Sequence, residues 1–202
     1  QEENTEDLEK MNALLPSENE HLKTGVLRLA WNRLPWLLFL MISATFTGAI
    51  ITRFEDALAT YVVLTAYIPM LMDTGGNAGS QASVSVIRGI SLGEVEFSEL
   101  PKAFWKEIRV ALMCGITLTA ANFVKLMTLD RIPVPVALTV CLTMLCTIII
   151  AKLVGCTLPM LAKRANLDPA VMASPFITTI VDVLSLLIYF QFATMILKSY
   201  ID

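Results

Sequence analysis

Histidine is almost missing from this chain. His21 is the only one in 202 residues, and it lies in a polar N-terminal stretch. One copy of the chain therefore cannot build a His-based zinc site or a Ser-His-Asp triad. Cysteine is scarce as well: Cys114, Cys141, Cys146 and Cys156 all fall in apolar stretches without a C-x-x-C pair, and they read as small apolar fillers of helices. Charged residues make up only 16%, against about 25% in an average soluble domain. With a net charge of −3 there is no basic surface for nucleic acid. No two carboxylates are spaced for acid–base work on one helix. The single Gly-rich stretch lacks the Lys-Ser/Thr ending of a phosphate cradle, which argues against a nucleotide site.

What the chain has in excess is apolar residue, 55% of the total, with a mean hydropathy of +0.66. The charge is unevenly spread. Residues 1–23 hold seven acids and two bases, −5 in all, and residues 24–202 hold 13 bases and 11 acids, +2. An acidic head joined to an apolar body reads as a membrane protein. The chain opens at Gln1 with no Met, basic n-region or cleavage site, which reads as a stretch of a longer chain rather than a secretory leader.

A spanning helix needs about 20 mostly apolar residues. Five segments qualify: Leu34–Thr52; Ala57–Met72, running on into the Gly-rich stretch; the short Val110–Val124; Ile132–Ala151, with room to continue past Lys152; and Pro169–Leu197, interrupted only by Asp182. The expected fold is all-α, with residues 1–23 as a polar linker, 24–33 as an amphipathic interfacial helix and 34–202 as the membrane domain. Pro101–Arg109 reads as a second interfacial segment. Ten Lys and Arg residues fall on one set of flanks and four on the other. The positive-inside rule then puts the N-terminus in the cytoplasm and the C-terminus outside.

Asp182 is the charge that needs explaining. A carboxylate inside a span costs several kcal/mol or more, on the order of magnitude of insertion scales, unless it faces protein, water or a cation. Ser174, Thr178, Ser185 and Tyr189 share its helical face, with Thr179 and Pro175 at the margins. Such a polar stripe is the expected lining of a wet path. The second signal is Pro69-Met-Leu-Met-Asp73-Thr-Gly-Gly-Asn77-Ala-Gly-Ser-Gln81. Pro, Gly and Asn together predict a broken or kinked helix lining a cavity; Gly75, Gly76 and Gly79 are equally the residues of close helix packing. Asp73 is expected toward the cytoplasmic half. The available ligands are all oxygens, which suit a hard cation such as Mg²⁺ that keeps several waters. One Asp per chain is a thin site for a divalent ion, and a twofold dimer would supply two.

At this point two motifs carry a likeness. Pro69–Gly89 resembles the second transmembrane helix of MgtE-type magnesium channels. Asp168-Pro-Ala, followed by Pro175-Phe-Ile-Thr-Thr-Ile-Val-Asp182, resembles their fifth, and Arg33-Leu-Pro-Trp36 the start of their first. The likeness covers about residues 24–202. It implies a homodimer in the bacterial inner membrane, with five helices per chain and a pore on the twofold axis lined chiefly by helices two and five. It implies that Asp182 binds hydrated Mg²⁺, with Asn77, Ser174 and Thr178 shaping the path; Asp73, Gly76, Ala170, Thr179 and Ser185 are further lining candidates.

Mg²⁺ enters as the transported ion, with Mn²⁺, Co²⁺, Ni²⁺ and Ca²⁺ as further candidates, and no enzymatic reaction is expected. The family's cytosolic helical domain and CBS pair have no counterpart here, so their magnesium-sensing gating does not carry over, and residues 1–23 read as a remnant of the connection to them. Passive conduction of Mg²⁺ into the cytoplasm is the leading expectation. A proton- or sodium-coupled carrier using Asp182 as its exchanging carboxylate is the alternative. An intramembrane lipid-modifying enzyme built on Asp73 and Asp182 would lack a histidine and a nucleophile–base pair.

Overall fold

The computed structural model describes residues 25–55, 59, 61–172 and 174–201, and among these every regular element is helical. The acidic head, residues 1–23, lies outside them. Five long helices follow in order: α1 Val26–Arg53, α2 Ile68–Ser91, α3 Leu100–Thr128, α4 Val134–Arg164 and α5 Ser174–Ile201. Short 3-10 segments precede α2 (Val62–Tyr67), α3 (Phe97–Glu99) and α5 (Pro169–Met172). By length and apolarity α1, α3, α4 and the Pro175–Leu197 stretch of α5 can each cross a membrane. The fifth helix, α2, is 24 residues long and carries the Gly-rich stretch.

Both segments expected to lie along the interface continue without a break into longer helices. Val26–Leu34 runs straight into α1, where Pro35 removes one N–H without ending the helix. Pro101–Arg109 opens α3, with Pro101 near the first helical position, where its missing donor has no intrahelical partner to lose. The short third span thus gains turns at both ends. Past Lys152 α4 continues to Arg164. It stops at Asn166, held left-handed at φ 57°, with the Leu167 amide returning to the Ala162 carbonyl at 2.9 Å, as helix C-caps commonly do.

The largest departure concerns α2. Its helix begins at Ile68, not near Ala57, and it runs unbroken to Ser91 through Asp73-Thr-Gly-Gly-Asn-Ala-Gly. Pro69 stands in the first turn, so it starts a helix rather than breaking one. The glycines cost roughly 1 kcal/mol each in helix propensity relative to alanine, and close packing offsets this. A methyl group at Gly75 would sit 2.6 Å from Thr147 Cγ2 of α4 and 2.7 Å from Val181 Cγ1 of α5. At Gly79 it would sit 2.6 Å from Ile177 Cγ2, and at Gly155 it would run into the Gly79 carbonyl.

On α4, buried Thr139, Thr143, Thr147, Ala151 and Gly155 repeat every fourth residue and form a seam of small side chains, as helix contacts within membranes favour. Helix α4 is the hub, packed on α2, α3 and α5, whereas α1 leans chiefly on α5. That contact is largely aromatic: Phe54 stacks on Phe190 at 4.6 Å, and Trp36 and Phe39 meet Phe176 at 5.8 and 5.0 Å.

Candidate functional site

The close fit of α2 against α5 sets up the site. Gly76 faces Thr178 so tightly that an added methyl would lie 2.9 Å from Thr178 Cγ2. This aligns the next turns of both helices, and Asp73, Gly76 and Asn77 of α2 meet Thr178 and Asp182 of α5 around one open cavity of about 480 Å³, which Ile68, Pro69 and Met72 also line. Asp73 and Asn77 are exposed and Thr178 and Asp182 half-buried. The Thr178 hydroxyl donates to the Pro175 carbonyl at 3.0 Å, which leaves its lone pairs toward the cavity.

Depth follows from the same packing. Gly75 touches Thr147, which stands near the middle of the 31-residue α4, roughly 20 Å from its first residue at about 1.5 Å per residue. The two aspartates therefore lie near mid-depth of the bundle. Asp73 stands five residues into its helix, which starts eleven residues later than forecast, at Ile68 instead of Ala57. Asp182 stands roughly 12 Å into α5, closer to the start than forecast. The Asp168 carboxylate accepts the Ala170 amide at 2.9 Å and sets a separate 3-10 turn over Pro169–Met172 before the helix begins.

The forecast stripe around Asp182 divides. Thr178 joins the cavity. Ser185 is 1% exposed and donates to the Val181 carbonyl, with its oxygen against Gly75. Tyr189 is wholly buried and donates to the Leu64 carbonyl at 2.9 Å. Thr179 lines a different, more apolar groove with Ser43, Phe46, Ala49, Ile50 and Arg53 of α1. Ala170 is buried in its 3-10 turn. The side chain of Ser174 lies outside the described atoms, although its backbone begins α5.

A stripe that the sequence reading left out runs along α2. Asp73, Asn77, Gln81, Ser85 and Arg88 are all exposed, and the first four stand at strict four-residue spacing. The Asp73 and Asn77 end of this stripe lines the cavity shared with α5, while α4 and α5 hold the glycine face of α2 through Gly75, Gly79 and Ala82. The i, i+4 rhythm was present in the sequence as the signal. Among the described residues no three His, Cys, Asp or Glu side chains gather as a metal cage. Two carboxylates, an amide and a hydroxyl around a roomy cavity can hold a cation through its water shell.

Comparison with known proteins identifies the family. The profile of the MgtE family, described as a divalent cation transporter, matches residues 68–192. The chain is similar to the magnesium transporter MgtE of Thermus thermophilus, 32% identical over 98% of the chain and 43% of that protein. It is also similar to the magnesium transporters MgtE of Enterococcus faecalis, at 30% over 90% of the chain and 40% of that protein, and of Bacillus subtilis, at 33% over 84% and 38%. The chain thus spans less than half the length of the curated relatives it matches. With the glycine seam, the paired aspartates and a profile match that runs from the first residue of α2 deep into α5, the chain belongs to the MgtE family of divalent cation transporters.

Proposed function

We propose that this chain forms the membrane pore of a magnesium transporter, in which hydrated Mg²⁺ passes between α2 and α5 and is bound at Asp182. The observation that carries the reading is the meeting of Asp73, Asn77, Thr178 and Asp182 around one mid-depth cavity of about 480 Å³. Six waters of an octahedral Mg²⁺ shell occupy roughly 180 Å³ at about 30 Å³ each. The cavity therefore has room for the ion with its waters, and carboxylate, amide and hydroxyl oxygens are the partners such a shell takes.

A homodimer supplies what one chain lacks. The polar residues of α2 stay exposed in its own chain, and a twofold axis beside them doubles the aspartates facing the ion, which suits a 2+ charge. The flanks holding Arg88, Lys102, Lys106, Arg109, Lys163 and Arg164 face the cytoplasm under the positive-inside rule. Cations then run inward down a negative-inside potential, at about 2.3 kcal/mol per charge per 100 mV. Residues 1–23 act as the link to cytosolic parts of the protein.

Mg²⁺ uptake into vesicles by the unchanged chain, Asp182→Asn and Asp73→Asn tests the site. Loss of flux in Asp182→Asn, with a milder loss in Asp73→Asn, is the expected outcome. Full flux in Asp182→Asn defeats the assignment. Uptake that follows the voltage and ignores an imposed pH gradient identifies conduction, whereas dependence on the gradient identifies coupled exchange.

A further inference from the structure

The helix that carries Asp73 and Asn77 begins without a capping side chain of its own: Tyr67, at its N-terminal boundary, makes no side-chain cap bond. Its position is fixed instead from outside. The Tyr67 hydroxyl donates to Asp130 Oδ2 at 2.9 Å, across 63 residues. The same oxygen accepts Lys125 Nζ at 2.8 Å, and that ammonium lies 5.6 Å from the centre of the Tyr67 ring. The loop bearing Asp130 is itself well determined. Leu129 and Ile132 amides return to the Lys125 and Leu126 carbonyls at 2.9 and 3.3 Å, and Arg131 takes a left-handed φ of 51°. A second tie, Tyr189 to the Leu64 carbonyl, holds the other end of the same 3-10 segment.

The residues that follow Tyr67 are Ile68 and Pro69, both of which line the Asp73–Asp182 cavity. A helix moves along its axis as a stiff unit, so an anchor at residue 67 is an anchor for Asp73 and Asn77 two and three turns on. From this the geometry points to Tyr67, Asp130 and Lys125 as a positioning cluster that sets the axial place of α2 against α5, and through it the fit of the cavity to a hydrated divalent cation. The inference rests on the ion path described above. None of the three side chains lines the cavity; they act through the helix start. Charge assistance on both bonds to Asp130 makes them stronger than neutral ones; Tyr67 itself is buried, while the Lys125 and Asp130 side chains stay partly exposed.

The test uses the full chain reconstituted in vesicles under a negative-inside potential, with Tyr67→Phe, Asp130→Ala, the double variant and Asp182→Asn measured together. Each single change in the cluster is expected to raise the half-saturating Mg²⁺ concentration roughly threefold to tenfold, the range of one lost hydrogen bond, with a smaller effect on the maximal rate. The double variant is expected to be no worse than Asp130→Ala, since that change already removes the Tyr67–Asp130 bond together with the Lys125 one. Lys125→Met, on the exposed side of the cluster, keeps the Tyr67–Asp130 bond and is expected to give a smaller shift in the same direction; it stands in if Asp130→Ala does not reach the membrane. A purely structural tie would lower the amount of folded protein and leave half-saturation unchanged. That outcome, or additive effects in the double variant, overturns the cluster's role while loss of flux in Asp182→Asn leaves the ion path standing. Flux that survives Asp182→Asn overturns the ion path and the positioning role with it.

Discussion

Gly155 of α4 lies directly against the backbone carbonyl of Gly79 on α2, leaving no room for a methyl group between the two helices. A side chain can swing away from an intruding carbon, but a carbonyl in a helix cannot. Gly155→Ala is therefore expected to cost on the order of 1–3 kcal/mol through overpacking. Gly48→Ala, where nothing lies within 4 Å, is expected to change little. Thermal denaturation of the two variants in the same detergent checks the contrast, and equal melting temperatures would refute it.

Neighbouring threonines on α5 should behave differently. Thr178 lines the Asp182 cavity and Thr179 the groove beside α1. Thr178→Val is expected to reduce Mg²⁺ uptake severalfold, on the order of one lost hydrogen bond to a bound water, and Thr179→Val to leave it near the original rate. Uptake assays on the matched pair decide; a larger loss from Thr179→Val would move the path to the α1 side.

The buried hydroxyl of Tyr189 should matter to stability more than to flux. Tyr189→Phe leaves the Leu64 carbonyl without its partner at 2.9 Å, in a site with no exposure. A cost of about 1–3 kcal/mol follows for an orphaned buried acceptor. Denaturant or thermal unfolding reads this directly, and a melting curve unchanged from the parent would contradict it.

Asp130 gives a pH signature. Its carboxyl is held below the ordinary value of 3.8, first by the hydrogen bond from Lys125 and then by that from Tyr67. A depressed folded pKa contributes stability that is fully present above the unfolded value and is lost as pH falls through the folded one. The stability difference between the parent chain and Asp130→Asn is thus expected to stay constant from neutral pH down to about 5 and to shrink below about 4. Lys125→Met, which removes the largest cause of the depression, should make that loss smaller and complete it at a higher pH. Melting temperatures across this range supply the check.

Much of the fold was legible because long apolar runs and their charged flanks are strong signals. The helix class and the spans α1, α3, α4 and α5 follow from them. The helix starts were harder. Pro69 and Pro101 each mark a beginning, but a proline before a polar stretch reads equally well as a break, and only the tertiary fit of Gly75 and Gly79 against Thr147, Val181 and Ile177 decides between them. Likewise the face of Asp182 was read from helical spacing alone. Spacing brings Thr178 and Ser185 to one side, and the Gly75 contact then takes Ser185 into the seam. Tyr189 was lost to the stripe for a similar reason: its partner, Leu64, lies in a 3-10 segment that has no apolar period to announce it.

The uneven character of α2 bears on how the protein is made. The four strongly apolar helices can each enter a bilayer as they leave the ribosome, because hydropathy alone favours their insertion. Helix α2, with Asp73, Asn77, Gln81, Ser85 and Arg88 along one side, has no such pull. Gly75, Gly76 and Gly79 fit against α4 and α5, which are synthesised after it. The second helix therefore reaches its packed place only once the fourth and fifth are there to receive it, so its seat is completed by the C-terminal half of the chain.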